Sequence, residues 1–192
     1  DQHLYSPLLH LRNGVDSDLL SVSPVHLNEG EKDFVVDLRT YCQSRPECLE
    51  GREVYLLRNQ SRGRGVGFFE AGNFHPDFML WVLDGSRQHV IFVDPKGILR
   101  CEGLSDPKLR FFETIKEIET KLGERDSGRK GKIFLHSFVV SNTPLGAVRW
   151  WQPGMATLQD FAQRHVLFQK ESSGDYVSEI FARALPASTA TA

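Results

Sequence analysis

The chain switches between two apolar periods. Phe34, Val35, Leu38 and Tyr41 recur at helical spacing between Gly30 and Cys42, which predicts an amphipathic helix. Asn28 precedes it with Glu31 three residues on, the spacing of a capping box. After Pro46 the pattern shortens. Glu53–Arg58, Gly67–Glu70, Phe78–Leu83 and Val90–Val93 are brief runs rich in sheet-favouring residues, each predicted as a strand. Leu109, Phe112, Ile115, Ile118 and Leu122 return to steps of three and four and predict a core-facing helix, with Gly123 as its stop. Lys132–Val140 is almost continuously apolar, as a buried central strand would be. Leu158, Phe161, His165 and Phe168 mark a short helix, and Val177, Ile180, Phe181 and Leu185 a final one. The sum is an α/β fold, a central mixed sheet flanked by helices.

The middle of this pattern carries the candidate chemistry. Asp84-Gly85-Ser86-Arg87 separates two apolar runs, and Asp-Gly is a strong hairpin signal. Paired positions in a hairpin are symmetric about its turn. The midpoint of Asp77 and Asp94 falls between Gly85 and Ser86, so the two acids face each other across the strands. Asp94 and Lys96 lie two apart and share a face. Two carboxylates and one ammonium thus converge at the open end of an apolar hairpin. Acids collect at strand ends anyway, so either aspartate alone is ordinary; it is the trio that points to chemistry. Magnesium takes oxygen ligands, often one or two carboxylates with water and phosphate oxygens. It polarises a phosphoryl oxygen and acidifies bound water, and a nearby ammonium can hold that water or offset phosphate charge.

Pro76-Asp77 followed by Asp94-Pro95-Lys96 resembles the motif of the PD-(D/E)xK nuclease superfamily. Asn73-Phe74-His75-Pro76-Asp77-Phe78 and Phe92-Val93-Asp94-Pro95-Lys96-Gly97 resemble one branch more closely. That branch is the C-terminal endonuclease domain of type III restriction enzyme subunits and related helicase–nuclease defence proteins. The similarity runs from about His3-Leu4-Tyr5 to about Thr143. It implies a restriction-endonuclease-like core and a magnesium-dependent nuclease, with manganese able to substitute. It implies Asp77, Asp94 and the Pro95 carbonyl as metal ligands, Lys96 as the catalytic ammonium, and a glutamate on the first helix reaching the metal. Glu31 stands where that glutamate would be, directly or through water; its capping-box spacing explains it equally well. The resemblance further implies DNA as substrate, an ATP-dependent helicase or translocase upstream, and a separate recognition subunit. No G-x-x-x-x-G-K-[ST] loop occurs within the chain, so any such motor lies outside it.

Composition adjusts this picture modestly. With 192 residues the chain is one domain by length. The reading divides it into an N-terminal extension over 1–25, a nuclease core over 26–145, a helical extension over 146–186 and a disordered tail over 187–192. The chain starts at Asp1 without methionine, which suggests a piece of a longer protein. Three cysteines without metal-type spacing read as free thiols in a reducing cytoplasm. No apolar stretch is long enough to span a membrane. The net charge of −2 does not advertise nucleic-acid binding, so phosphate contacts would fall to local patches. Arg58, Arg62 and Arg64 form one loop patch, and Arg125, Arg129, Lys130 and Lys132 another. His75 could carry a proton, although a magnesium-bound water beside a lysine does not need it. Glu70 is an alternative third acid. Arg149-Trp150-Trp151 could stack on bases, but an aromatic pair is more often core. The other function class is a nucleic-acid-binding or assembly module whose site has lapsed. RNA or branched DNA are the alternative substrates.

Overall fold

Asn28 begins the first helix, α1 (Glu29–Ser44), with a complete capping box. Its Oδ1 accepts from Glu31 N at 2.9 Å, and Glu31 Oε2 accepts from Asn28 N at 2.7 Å. Two of the backbone donors that a helix N-terminus leaves unpaired are thereby satisfied. The computed structural model describes residues 2–4, 25–60, 65–68, 72–103, 105–125, 128, 131–148 and 157–185. Arg62, Arg64, Glu70, Arg129, Lys130, the Arg149-Trp150-Trp151 run and the 187–192 tail lie outside these residues.

Six strands form one mixed sheet in sequence order: β1 (Gln2–His3), β2 (Arg52–Arg58), β3 (Phe78–Asp84), β4 (Arg87–Lys96), β5 (Ile133–Ser141) and β6 (Val166–Phe168). β2, β3 and β4 are an antiparallel meander, whereas β1–β2, β4–β5 and β5–β6 are parallel. Parallel neighbours need a crossover. Helix α2 (Phe111–Arg125) lies in the β4–β5 connection, and α3 (Leu158–Gln163) lies in the β5–β6 connection. The short α4 (Gln169–Ser172) and then α5 (Asp175–Ala184) follow β6.

Helices cover both faces. On one, Phe34, Val35 and Leu38 of α1 and Val177, Ile180 and Phe181 of α5 join Val54, Phe78, Leu80, Ile91 and Val140 in the largest buried cluster. On the other, Phe111 and Ile115 of α2 pack with Phe74, Phe92 and Leu135. Burying a side chain of this size contributes about 1.5–3 kcal/mol, so the hairpin that carries the acids is anchored from both sides.

Three expectations are corrected. The second helix does not stop at Gly123 but runs to Arg125; an interior glycine costs only about 1 kcal/mol. Of Gly67–Glu70, Gly67 and Phe68 are described and form no strand, Phe68 making a single bridge with Phe74; Phe69 and Glu70 lie outside the described residues. Leu158 to Phe168 is not one helix. α3 ends at Gln163, His165 turns with φ 57°, and Val166–Phe168 extends along β5. The open edge of β5 offers a hydrogen-bonding ladder that outweighs the helical spacing of those apolar residues. Gln2–His3, which shows no period in the sequence, pairs with Val54 and Tyr55. Cys42 and Cys101 are thiols outside any disulfide, as expected; burial pushes the Cys42 thiol up to about 11.

Candidate active site

The hairpin register positions the acids. β3 and β4 pair from Asp84↔Arg87, next to the Gly85 turn, to Phe78↔Val93. One further step in that register sets Asp77 opposite Asp94. Alternation along β4 puts Lys96 on the same face as Asp94, and the Lys96 ammonium forms an ion pair with Asp94 Oδ2. Asp94 is 2 % exposed and Glu31 5 %. The β3 ladder ends at Val93, while β4 stays paired with β5 through Asp94↔Val139, Pro95↔Val140 and Lys96↔Ser141. Beyond Val93, β4 therefore has an open edge on the β3 side. Pro95, with no N–H to donate, sits where a sheet tolerates such a residue. Asn142 N donates to Lys96 O at 3.2 Å and holds the end of the strand.

The electrostatics follow from this crowding. Burial pushes the Asp77 carboxyl up to about 8. The neighbouring Asp94 carboxylate, a hydrogen bond between the two side chains, and the Glu31 charge act in the same direction, and Lys96 opposes them. Like charges held together out of water cannot both ionise freely. Near neutral pH Asp77 therefore holds a proton unless a cation offsets the acids. Two carboxylates beside an open strand edge form an oxygen donor set that suits a hard divalent ion such as magnesium. Among the described residues, no group of three or more His, Cys, Asp or Glu is arranged to hold a metal. Glu31 acts on Asp77 through its charge but does not close such a group.

Glu31 is engaged elsewhere. Its Oε2 accepts from Asn28 N, and Arg58 Nη2 approaches the same oxygen at 3.2 Å. The sequence groups Arg58 with Arg62 and Arg64 as a basic patch for phosphate contacts, and for Arg58 this is corrected. Arg58 is the last residue of β2. Its guanidinium donates to the carbonyls of Val25 and His26 as well as to Glu31. A cation committed to these partners is not an open phosphate contact. Lys132 is exposed and precedes β5, whereas Lys96 pairs with Ser141 at the far end of that strand. Val139, the partner of Asp94, is seven residues along the strand from Lys132, roughly 23 Å, so Lys132 does not line the site. Arg125 ends α2 and is exposed.

Two residues at the site carry no signal of role in the sequence. Asn59 N donates to Asp77 O at 2.7 Å, and its side-chain amide donates to Pro76 O at 2.8 Å and Val66 O at 2.7 Å. Asn59 Oδ1 accepts from Val66 N at 2.9 Å. One asparagine thus ties the Asp77 backbone to the loop that follows β2. The second is Phe74, whose ring lies 4.9 Å from the Lys96 ammonium. His75 is half-buried against Gly67, where a Cβ would come within 2.1 Å of its Cε1. Its Nδ1 is buried and makes no hydrogen bond.

A neighbouring cleft of about 520 Å³ is lined by Glu29, Asp33, Asp37, Asn142 and Lys170 among others, but by none of Asp77, Asp94 and Lys96. No helix of the described residues is long and apolar enough to cross a membrane. A scan against protein-family models, a search of characterised proteins and a search of solved structures each return no match for this chain.

Proposed function

We propose that this chain is a magnesium-dependent endonuclease domain that hydrolyses DNA phosphodiester bonds. The observation that carries the reading is the placement of Asp77 and Asp94 across one hairpin, with the Lys96 ammonium on the Asp94 carboxylate. Asp77, Asp94 and the Pro95 carbonyl would hold the ion. When bound, it supplies an acidified water and a polarised phosphoryl oxygen. The chain's own residues do the rest. Asp77 gives up the proton that crowding imposes on it, and Asp94 stays buried and fixed by the β4–β5 ladder. Lys96 directs N–H groups at the attacking water and at charge gathering on the phosphate. Glu31 adds negative potential from behind, held by Asn28 and Arg58. The parent protein on this reading is a restriction or antiphage helicase–nuclease, working in the cytoplasm with its motor and sequence recognition outside this chain.

Asp94→Ala and Lys96→Ala are expected to abolish magnesium-dependent nicking of supercoiled DNA while leaving the circular dichroism spectrum unchanged. Full cleavage by both variants in clean preparations would overturn the reading. A second reading, a nucleic-acid-binding or assembly module with a lapsed site, is favoured by one observation. Glu31 is turned to Arg58 and no three-residue ligand group forms among the described residues. Titration calorimetry with Mn²⁺ separates the two: binding that Asp94→Ala removes supports the nuclease, and absence of binding supports the module. Labelled single-stranded, duplex, branched and RNA substrates then fix the substrate class.

A further inference from the structure

The Lys96 ammonium has two unlike partners: Asp94 Oδ2, and the ring of Phe74, whose centroid is 4.9 Å from Nζ. Phe74 is 3 % exposed and cannot follow a moving lysine. Its backbone exchanges two hydrogen bonds with Phe68, at 2.8 and 3.1 Å. Its ring meets Phe111 edge-on at 5.4 Å between centroids. Two consecutive positive φ values, 67° at Gly72 and 59° at Asn73, fold the chain back to set this ring.

We propose that Phe74 is a positioning residue for Lys96, holding the ammonium by its ring face so that the N–H groups stay free for the reaction. The inference rests on the nuclease reading of the same site. An ammonium has three donors and no acceptor. A carbonyl or second carboxylate in Phe74's place would fix Lys96 equally well but would consume an N–H. An aromatic face attracts the positive charge through its quadrupole and accepts no proton. With one N–H directed at Asp94, two remain for the attacking water and a phosphate oxygen. Leucine or methionine at this position would fill the space and leave the ammonium free to settle wholly on Asp94.

The test replaces Phe74 with mono-, di- and trifluorophenylalanine in the intact chain. Fluorine drains the ring face of negative potential at nearly constant shape, so packing is kept. Turnover on duplex DNA with magnesium is expected to fall stepwise, reaching about two- to thirtyfold for the trifluoro ring, with KM and melting temperature little changed. In parallel, the carbon NMR signal of Lys96 Cε, assigned through Lys96→Arg, is expected to move progressively along the series. A flat kcat series in a cleaving enzyme overturns the proposal and leaves the nuclease reading standing. An inactive wild type whose Lys96 signal still tracks fluorination overturns the nuclease reading and keeps the ring–ammonium placement. An unmoved signal overturns the placement itself.

Discussion

The Arg58 guanidinium and the Glu31 carboxylate meet 3.2 Å apart where the end of β2 passes the start of α1. Both side chains are mostly out of water, 15 % and 7 % exposed. Removing one partner of such a pair leaves the other charge buried without compensation, which costs about 3–5 kcal/mol. Arg58→Leu should therefore lower the unfolding free energy by on the order of 3 kcal/mol, read from urea denaturation. Adding Glu31→Gln should recover part of that loss, because the stranded charge is then gone. If the double variant is no more stable than Arg58→Leu, the pair is not coupled.

Asp77 gives the domain an inverted pH response. Its folded pKa, about 8, lies above the ordinary carboxylate value. The native state then holds the proton more tightly than the unfolded chain. Stability from this group is full below the unfolded value near 4 and is lost as pH rises through about 8. The slope is at most about 1.4 kcal/mol per pH unit. In EDTA, wild type should lose stability between mildly acidic and mildly alkaline buffer, and Asp77→Asn should not. Asp77→Asn should be the more stable protein at alkaline pH and should be inactive. Magnesium should flatten the wild-type slope, since the ion takes over the offsetting role of the proton. A wild-type slope of the same size in Asp77→Asn would assign the effect to other groups.

The sequence revealed the hairpin and its acids for a physical reason. Asp84-Gly85 fixes the turn, the turn fixes the register, and period-two alternation fixes which side chains share a face. Asp77, Asp94 and Lys96 were therefore legible from spacing alone. Asn28 and Glu31 were legible as a capping box for the same kind of local reason. Arg58 was not. Its role depends on Val25, His26 and Glu31 arriving from the other side of the fold, and nothing near Arg58 in sequence records them. Asn59 and Phe74 escape for the same reason, since each acts through a residue at least seven positions away. The spacing of β6 fits a helix as well as a strand because three apolar residues satisfy either period, and only the edge of β5 decides between them.

Asn59 ties the Val66 loop to the backbone of Pro76 and Asp77. Its side chain bonds Pro76 O and both backbone groups of Val66, and its own N–H bonds Asp77 O. Asn59→Ala removes the three side-chain bonds and should cost about 1–3 kcal/mol of stability. It should also reduce turnover at temperatures where the variant is fully folded, because Asp77 loses the support of the preceding residue. Asn59→Asp keeps the acceptor for Val66 N but loses both donated bonds, to Pro76 O and to Val66 O. It should match alanine in turnover; turnover equal to wild type would show that the Val66 N bond alone suffices.

The acid limb of stability belongs to a different set of residues. His89 and His136 are buried on neighbouring strands, 2 % and 9 % exposed, with ring centroids 5.9 Å apart. Burial pushes the His136 imidazole down to about 3, and Lys116, His89 and His165 push it the same way. His89 and His165 are also lowered, chiefly by burial. Here the unfolded chain takes the proton first. Stability from His136 is full above the ordinary histidine value near 6.5 and is lost as pH falls toward about 3, at up to about 1.4 kcal/mol per pH unit. This slope opposes that of Asp77 over part of the same range, so the wild-type curve mixes both. Two manipulations separate them. His136→Leu removes most of the acid-side loss and leaves the response to magnesium intact, whereas Asp77→Asn removes the alkaline-side loss and the magnesium response together. Urea midpoints for both variants across the pH range, with and without the ion, check the assignment. An acid limb unchanged in His136→Leu would take it away from His136 and place it on His89, His165 or the carboxylates.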